Sequence, residues 1–372
     1  MIASRSSGLG SGLISTSTNL RLKGYSGPPI GTGMRRRLLY ACALTLLAMP
    51  PLAAAKSATS WAQAELRAVV AAGLMAREAA ARPNDPLTRA ELETIAAGIS
   101  QVDPLVPATP TAAVTMTGLD ARLVAALGLT DAAKLFVQGA KNAGLAPPPR
   151  FGTEAVARLL GLRTNHPAAQ DRLELSPSEP ATRAEAAYST AQILRFGEWD
   201  SQGLQELAGS FVLPALTPWQ TRLLKTATKL IGYPYVWGGE SESTKSPLGP
   251  QVHGGFDCSG FVWRVYKLQR YAEAGTLAET LQGRTSYVMS GEVPAAKRIS
   301  LAKLQPADVI FFGKGPKSKP AQVDHMGLYL GNGWFIHSSR YGVALESLTG
   351  SYAKRFAWGR RPLAEAGLVS AF

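Results

Sequence analysis

Cysteine is almost absent from this chain: 372 residues hold two, Cys42 and Cys258. A framework of disulfides is therefore excluded as a source of stability. Histidine is nearly as scarce, at four. Charged residues amount to 17%, and no apolar run reaches the roughly 20 residues that a membrane-spanning helix requires. Neither a basic run nor a basic patch interleaved with aromatics stands out, so nucleic acid is not an expected partner. What remains is 46% apolar, an ordinary globular composition, and the length suits two or three domains. The charge is uneven. Of 39 basic side chains six fall in residues 1–55, where no acidic one occurs, leaving 33 basic against 26 acidic in the remainder. That mild cationic excess suits contact with an anionic polymer.

From Met34 the chain reads "MRRRLLYACALTLLAMPPLAAAKS". Arginines, a short apolar run and small residues, in that order, are the layout of a secretory signal. Residues 1–55 are accordingly expected to be a signal peptide behind a spurious extension, with Met34 as the true start and cleavage near Ala55–Lys56. No stable membrane insertion is expected afterwards. Export would remove Cys42 and leave Cys258 as a lone thiol, which is either a small apolar core residue or a reactive group.

Residues 56–195 are Ala/Leu-rich with helical spacing and proline breaks. "RPNDPLTRAEL" (82–92) and "SPSEPATRAEA" (176–186) repeat one plan: a proline turn, a threonine N-cap, and a glutamate three residues on. That is a capping box opening a helix. "PPPRFGTEAVARLL" (147–160) gives the same plan without the arginine, at Thr153 and Glu154. Short helical units repeated in this way are expected to stack as an all-α array. These segments resemble S-layer homology repeats. The resemblance implies a module that holds an anionic cell-wall polysaccharide through the motif arginines, here Arg89 and Arg183. The plainer reading makes them helix caps on a scaffold.

Residues 196–217 show no sustained period and read as a linker. From Pro218 the sequence turns aromatic, Gly-rich and β-prone. In "GGFDCSGFVWRVYK" (254–267) Asp257 is a plausible N-cap and Cys258 sits in the first helical turn. Exposed N–H groups there favour a thiolate, lowering the cysteine pKa. A thiolate nucleophile also needs a base able to protonate a leaving amine, a task suited to histidine. His325 and His337 lie close together in "DHMGLYLGNGWFIHSS", around a Gly-Asn-Gly hairpin signal. A two-residue turn pairs Leu328 with His337 and puts the two imidazoles on opposite faces. A three-residue loop, Gly331 to Gly333, pairs Gly327 with His337 and puts them on one face. Cooperation between the histidines therefore predicts a three-residue loop with a bulge. His166 and His253 are read as structural or exposed. One cysteine and two histidines without a fourth clustered ligand make a weak zinc signature.

Together "IGYPYVWGG", "GFDCSGFVWRVYK", "LQPADVIFF", "DHMGLYLGNGWFIHSSRYGVALESL" and "WGRRP" resemble the NlpC/p60-type cell-wall peptidases, over about residues 220–362. The resemblance implies an α+β chain. A papain-like domain at 218–366, with a helix-borne cysteine packed on a small antiparallel sheet, follows the helical module. It also implies a secreted, wall-associated enzyme that hydrolyses peptidoglycan stem peptides without a cofactor. Cys258 would be the nucleophile, His325 the general base and acid, and His337 the residue orienting it. Tyr235 would lie near the oxyanion region, with Asp257 and Ser259 against the substrate peptide. Two departures, 240–254 and the basic 313–322, read as loops beside the cleft. The competing reading is a wall-binding protein whose papain-like domain is inactive or transfers acyl groups.

Overall fold

The computed structural model describes residues 59–166 and 174–369. The expected signal peptide, its cleavage point and Cys42 lie outside these residues.

Among the described residues nine helices come first: Gln63–Ala71, Arg77–Ala80, Arg89–Ser100, Met116–Ala126, Thr130–Asn142, Phe151–Leu159, Arg183–Ile193, Glu198–Gly209 and Pro218–Lys229. Their starts follow from the sequence. Thr88 caps its helix reciprocally with Glu91, and Thr217 does so with Gln220 behind Pro218 at the first helical position. Thr182 accepts from the Glu185 N–H. The proline turns before three caps bridge one another in a closed ring: Pro86 with Thr182, Thr88 with Ala113, and Thr115 with Pro180.

The third member of that ring is Thr115, which accepts from the Gly118 N–H, and not the expected Thr153. Thr153 lies inside the Phe151–Leu159 helix, donating to the Arg150 carbonyl, and Glu154 is buried. Capping needs an extended residue just before the helix, whereas this helix starts at Phe151, ahead of Thr153, behind Arg150 in a helical conformation. Residues 196–217 also differ from expectation. They carry the Glu198–Gly209 helix, which packs on Thr130–Asn142 and brings Phe211 into the core.

The C-terminal part is built on a five-stranded antiparallel sheet. Its strands are β1 (Val309–Phe312), β2 (His325–Gly331), β3 (Trp334–Ser339), β4 (Gly342–Ser347) and β5 (Phe356–Arg360), in spatial order β4-β3-β2-β1-β5. Both faces are covered. Val309 and Phe311 point into the main core, while Ile310 and Phe312 join a second cluster with Phe335, Leu348 and Phe356. The continuous apolar run of β1 reflects this two-sided burial. A helical region followed by an antiparallel-sheet domain makes the chain α+β.

Helical and sheet regions share one core. Trp334, beside the β2–β3 turn, packs edge-on against Phe211 at 5.1 Å and Phe136 at 5.7 Å. The turn is pinned as well, since Asn332 Nδ2 donates to the Val212 carbonyl at 2.8 Å. Deeper in, buried Arg158 is paired with Glu154 and Glu174 and donates to the carbonyls of Gly232, at 2.6 Å, and Tyr341. Arg163, fully buried, forks onto Asp120.

Candidate active site

The β2–β3 hairpin decides whether the two histidines meet. Asn332 at φ 48° and Gly333 at φ 78° form the turn, so the loop is two residues long and not three. Both central residues have positive φ, the geometry that matches the twist of the flanking strands. Gly331 pairs with Trp334, but Tyr329 pairs with Phe335 and Leu328 with Ile336. Leu330 is therefore an extra residue, a β-bulge. The bulge shifts the lower strands by one, into the register that a three-residue loop gives. Gly327 then lies across from His337, so closely that a Cβ there would sit 2.9 Å from the His337 Cβ.

In this register His325 Nε2 and His337 Nδ1 approach to 2.6 Å. Aromatic rings enclose the pair. Phe312 stacks near His325 at 5.7 Å, while Phe335 and Tyr352 meet His337 edge-on at 4.8 and 5.4 Å. His337 is buried, whereas His325 keeps part of its surface open. Burial holds both imidazoles neutral. His325 is pushed down to about 3 by desolvation and then by the Arg355 charge. His337 is held well below the ordinary histidine value by desolvation and then by His325.

Cys258 is the first residue of the Cys258–Trp263 helix, behind Asp257, whose side chain caps the Gly260 N–H at 2.6 Å. This helix packs on β2, and the backbone N–H groups of Met326 and Ser259 reach the Cys258 sulfur. Met326 directly follows His325, so thiol and imidazole come from adjoining points of helix and strand. The expected thiolate is not what this geometry favours at rest. Burial, followed by the Asp257 charge, pushes the thiol up to about 12 against the smaller pull of those N–H groups and Arg284. Burial weighs more here than the helix start.

Tyr235 bridges Phe256 in parallel and lies close enough to Cys258 for their charges to interact, its phenol raised by burial first. Asp257 and Ser259 are drawn into a polar cluster that composition and motifs did not show. Arg284 Nη1 donates to Asp257 Oδ1 at 3.1 Å and to Ser259 Oγ at 2.8 Å, and its Nε donates to Glu240 at 2.9 Å. Asp257 Oδ2 also accepts from the Gly238 N–H at 2.9 Å. Beside Gly238, Trp237 is 87% exposed. Arg284, Glu240, Tyr352 and Trp237 were not singled out from the sequence. Two of them had a signal: Trp237 lies within "IGYPYVWGG", and Glu240 opens the 240–254 segment. That segment forms two short two-residue ladders around a fully buried carboxylate.

The remaining candidates lie elsewhere. Arg89 is exposed at the start of its helix. Arg183 is buried and already engaged by Glu91 at 2.9 Å and Asp85 at 3.1 Å. Its guanidinium thus locks the ring of caps rather than facing a polymer. His166 stacks on Trp61 at 3.7 Å, and His253 bonds Glu179 at 2.9 Å.

The NlpC/P60 family model matches residues 232–361. Among curated relatives, a probable peptidoglycan endopeptidase LytE of Bacillus subtilis is 38% identical over 134 residues, 36% of this chain and 31% of its own length. The murein DD-endopeptidase MepH of Escherichia coli is 36% identical over 136 residues, 35% of this chain and 41% of its own. The crystal structure of an NlpC/P60 family protein from Bacillus cereus aligns over 41% of each chain, with 28% identity and a TM-score of 0.29. The chain spans about a third of the length of the first curated relatives it matches, 31% and 34%. The residues matched run from the Gly232 turn through Cys258, both histidines and the whole sheet to Arg361, and over this part the chain is similar to the NlpC/P60 family.

Proposed function

We propose that this protein is a cysteine peptidase that hydrolyses amide bonds in peptidoglycan stem peptides. The observation that carries the reading is the 2.6 Å contact between His325 Nε2 and His337 Nδ1, set beside a helix-start cysteine. With His325 as donor in that contact, its Nδ1 is an acceptor and thus a base. The thiol and imidazole are neutral at rest, so the Cys258 proton passes to His325 as the sulfur attacks the scissile carbonyl. The Tyr235 phenol, kept protonated by burial, is a donor for the developing oxyanion. His325 then returns the proton to the leaving amine, and the acyl group stays on sulfur as a thioester. Water, deprotonated by His325, releases the carboxylic acid and restores the thiol.

Asp257, Ser259 and Arg284 form a charged wall beside the nucleophile, suited to the charged ends of a short peptide, and exposed Trp237 offers a flat apolar rim. The relatives' names support the wall peptide as substrate and the envelope as place of action. The helical region keeps a wall-binding reading through Arg89 and the ring of capped turns, the feature most like S-layer homology repeats. Purified protein incubated with peptidoglycan should release fragments, identified by mass spectrometry, that end at one type of stem-peptide bond. Intact stem peptides, or equal release by Cys258→Ser, would overturn the reading.

A further inference from the structure

The β5 edge of the sheet holds a second concave site. Residues 293–305 drape along β5, where Ile299 and Gly359 exchange hydrogen bonds at 2.9 and 2.7 Å. Between this segment and the turn beginning at Pro362 lies a cavity of about 650 Å³, lined by Lys297, Arg298, Lys303, Gln305, Arg361 and Glu365 among others. Strand register separates it from the catalytic residues. Phe312 pairs with His325 and Phe356, whereas Val309 pairs with Leu328 and Arg360. The cavity therefore lies at the far end of the strands from His325, about 10 Å along them and about 10 Å across.

Its charges are of two kinds. Arg361 is matched by Asp308 at 2.8 and 2.9 Å, and neighbouring Arg360 by Glu292 and Glu365. Lys297, Arg298 and Lys303 make no ion pair among the described residues. Arg298 lies over buried Trp358 at 3.7 Å and its Nε donates to the Val293 carbonyl at 3.4 Å, which leaves the terminal N–H groups for a ligand. Three cations around one hollow, where the carboxylate of Glu365 is already taken by Arg360, are a binding arrangement for an anion.

We propose that this cavity binds a phosphodiester-linked polyol chain, and so holds the enzyme to an anionic polymer while the cleft works on a peptide. Compact ammonium charges suit phosphate oxygens. The volume admits more than one phosphate, and Ala296, Ile299 and Ala364 line it with apolar surface suited to the aliphatic spacer. No exposed aromatic lines it to stack a nucleobase, which sets nucleic acid aside.

The test uses the full chain as Cys258→Ser, so that binding is read without turnover. Titration calorimetry with poly(glycerol phosphate) should show saturable binding that weakens with salt. The triple variant Lys297→Gln, Arg298→Gln, Lys303→Gln should lose roughly tenfold or more in affinity and lower the salt slope by about two. Lys314→Gln, Lys317→Gln, Lys319→Gln, in the other basic segment, should leave affinity unchanged. If the triple variant loses its melting transition, the exposed pair Lys297→Gln and Lys303→Gln replaces it. Equal binding by the cavity variant, equal loss in the control variant, or tighter binding of oligothymidylate or polyglutamate would each overturn the proposal.

Discussion

His325 and His337 come from neighbouring strands and meet nitrogen to nitrogen at 2.6 Å, an approach set by the extra residue Leu330 in the hairpin between them. In the proposed mechanism that contact would let His337 fix the tautomer and angle of His325 without itself reaching the thiol, as third members of other triads do. Cys258→Ser and His325→Ala should abolish hydrolysis with the fold intact by circular dichroism. His337→Ala should lower kcat by roughly 10²- to 10⁴-fold, and His337→Asn should recover part of it. Full activity in His337→Ala would remove the orienting role.

Gly327→Ala tests the register. The added methyl would sit 2.9 Å from both the His337 Cβ and the Ile336 carbonyl oxygen, so the strands must separate. We expect a loss of about 1–3 kcal/mol in urea unfolding together with a lower kcat. A variant as stable and active as wild type would show that the strands yield freely there.

The buried thiol makes a kinetic prediction. With Cys258 raised to about 12, alkylation by iodoacetamide in the absence of substrate should be slow at pH 7 and climb through the alkaline range. Acylation by a peptide substrate should show a normal solvent deuterium isotope effect, since the proton moves during attack. Rapid alkylation on a plateau below pH 6 would instead mean a preformed thiolate–imidazolium pair.

Stability should fall in acid. Both histidines have folded pKa values below the unfolded value, with His325 at about 3. Between that value and about 6.5 the unfolded chain binds more protons, so stability present above pH 6.5 is lost as pH falls. Each ring contributes a slope of at most about 1.4 kcal/mol per pH unit. Urea midpoints measured from pH 7 to pH 4.5 should decline, and less steeply in His337→Asn. A flat profile would contradict the buried neutral pair.

The Asp120–Arg163 pair concerns the fold alone. Both side chains are fully buried, so Asp120→Ala leaves a guanidinium without its counter-charge and should cost about 3–5 kcal/mol. A variant within about 1 kcal/mol of wild type would show that water or Ser189, which also accepts from Arg163 at 2.8 Å, is compensation enough.

What could be read from the sequence was local. Thr88, Thr182 and Asp257 announce helix starts because capping is a contact across three residues. Asn332-Gly333 announces its turn for a similar reason. The bulge at Leu330 has no such mark, since an extra strand residue is chosen by packing on both faces. Arg284 was hidden because its partners, Glu240, Asp257 and Ser259, lie 25 to 44 residues away. Thr115 was overlooked as a ring member because its helix lacks the arginine and glutamate that mark the other two. The state of Cys258 was misread because a helix start is visible in sequence and burial is not.

The anchoring of the hairpin at Val212 and Phe211, and of the Gly232 and Tyr341 carbonyls by Arg158, bears on how such a protein can be inherited. A recombination joint at residue 218 would leave Trp334 without its aromatic partners and two carbonyls without their arginine. The sheet half is then no exchangeable cassette. Helices and sheet must travel together, and substitutions at Phe211, Arg158 or Trp334 are constrained by a partner some 120 to 180 positions away in the same gene.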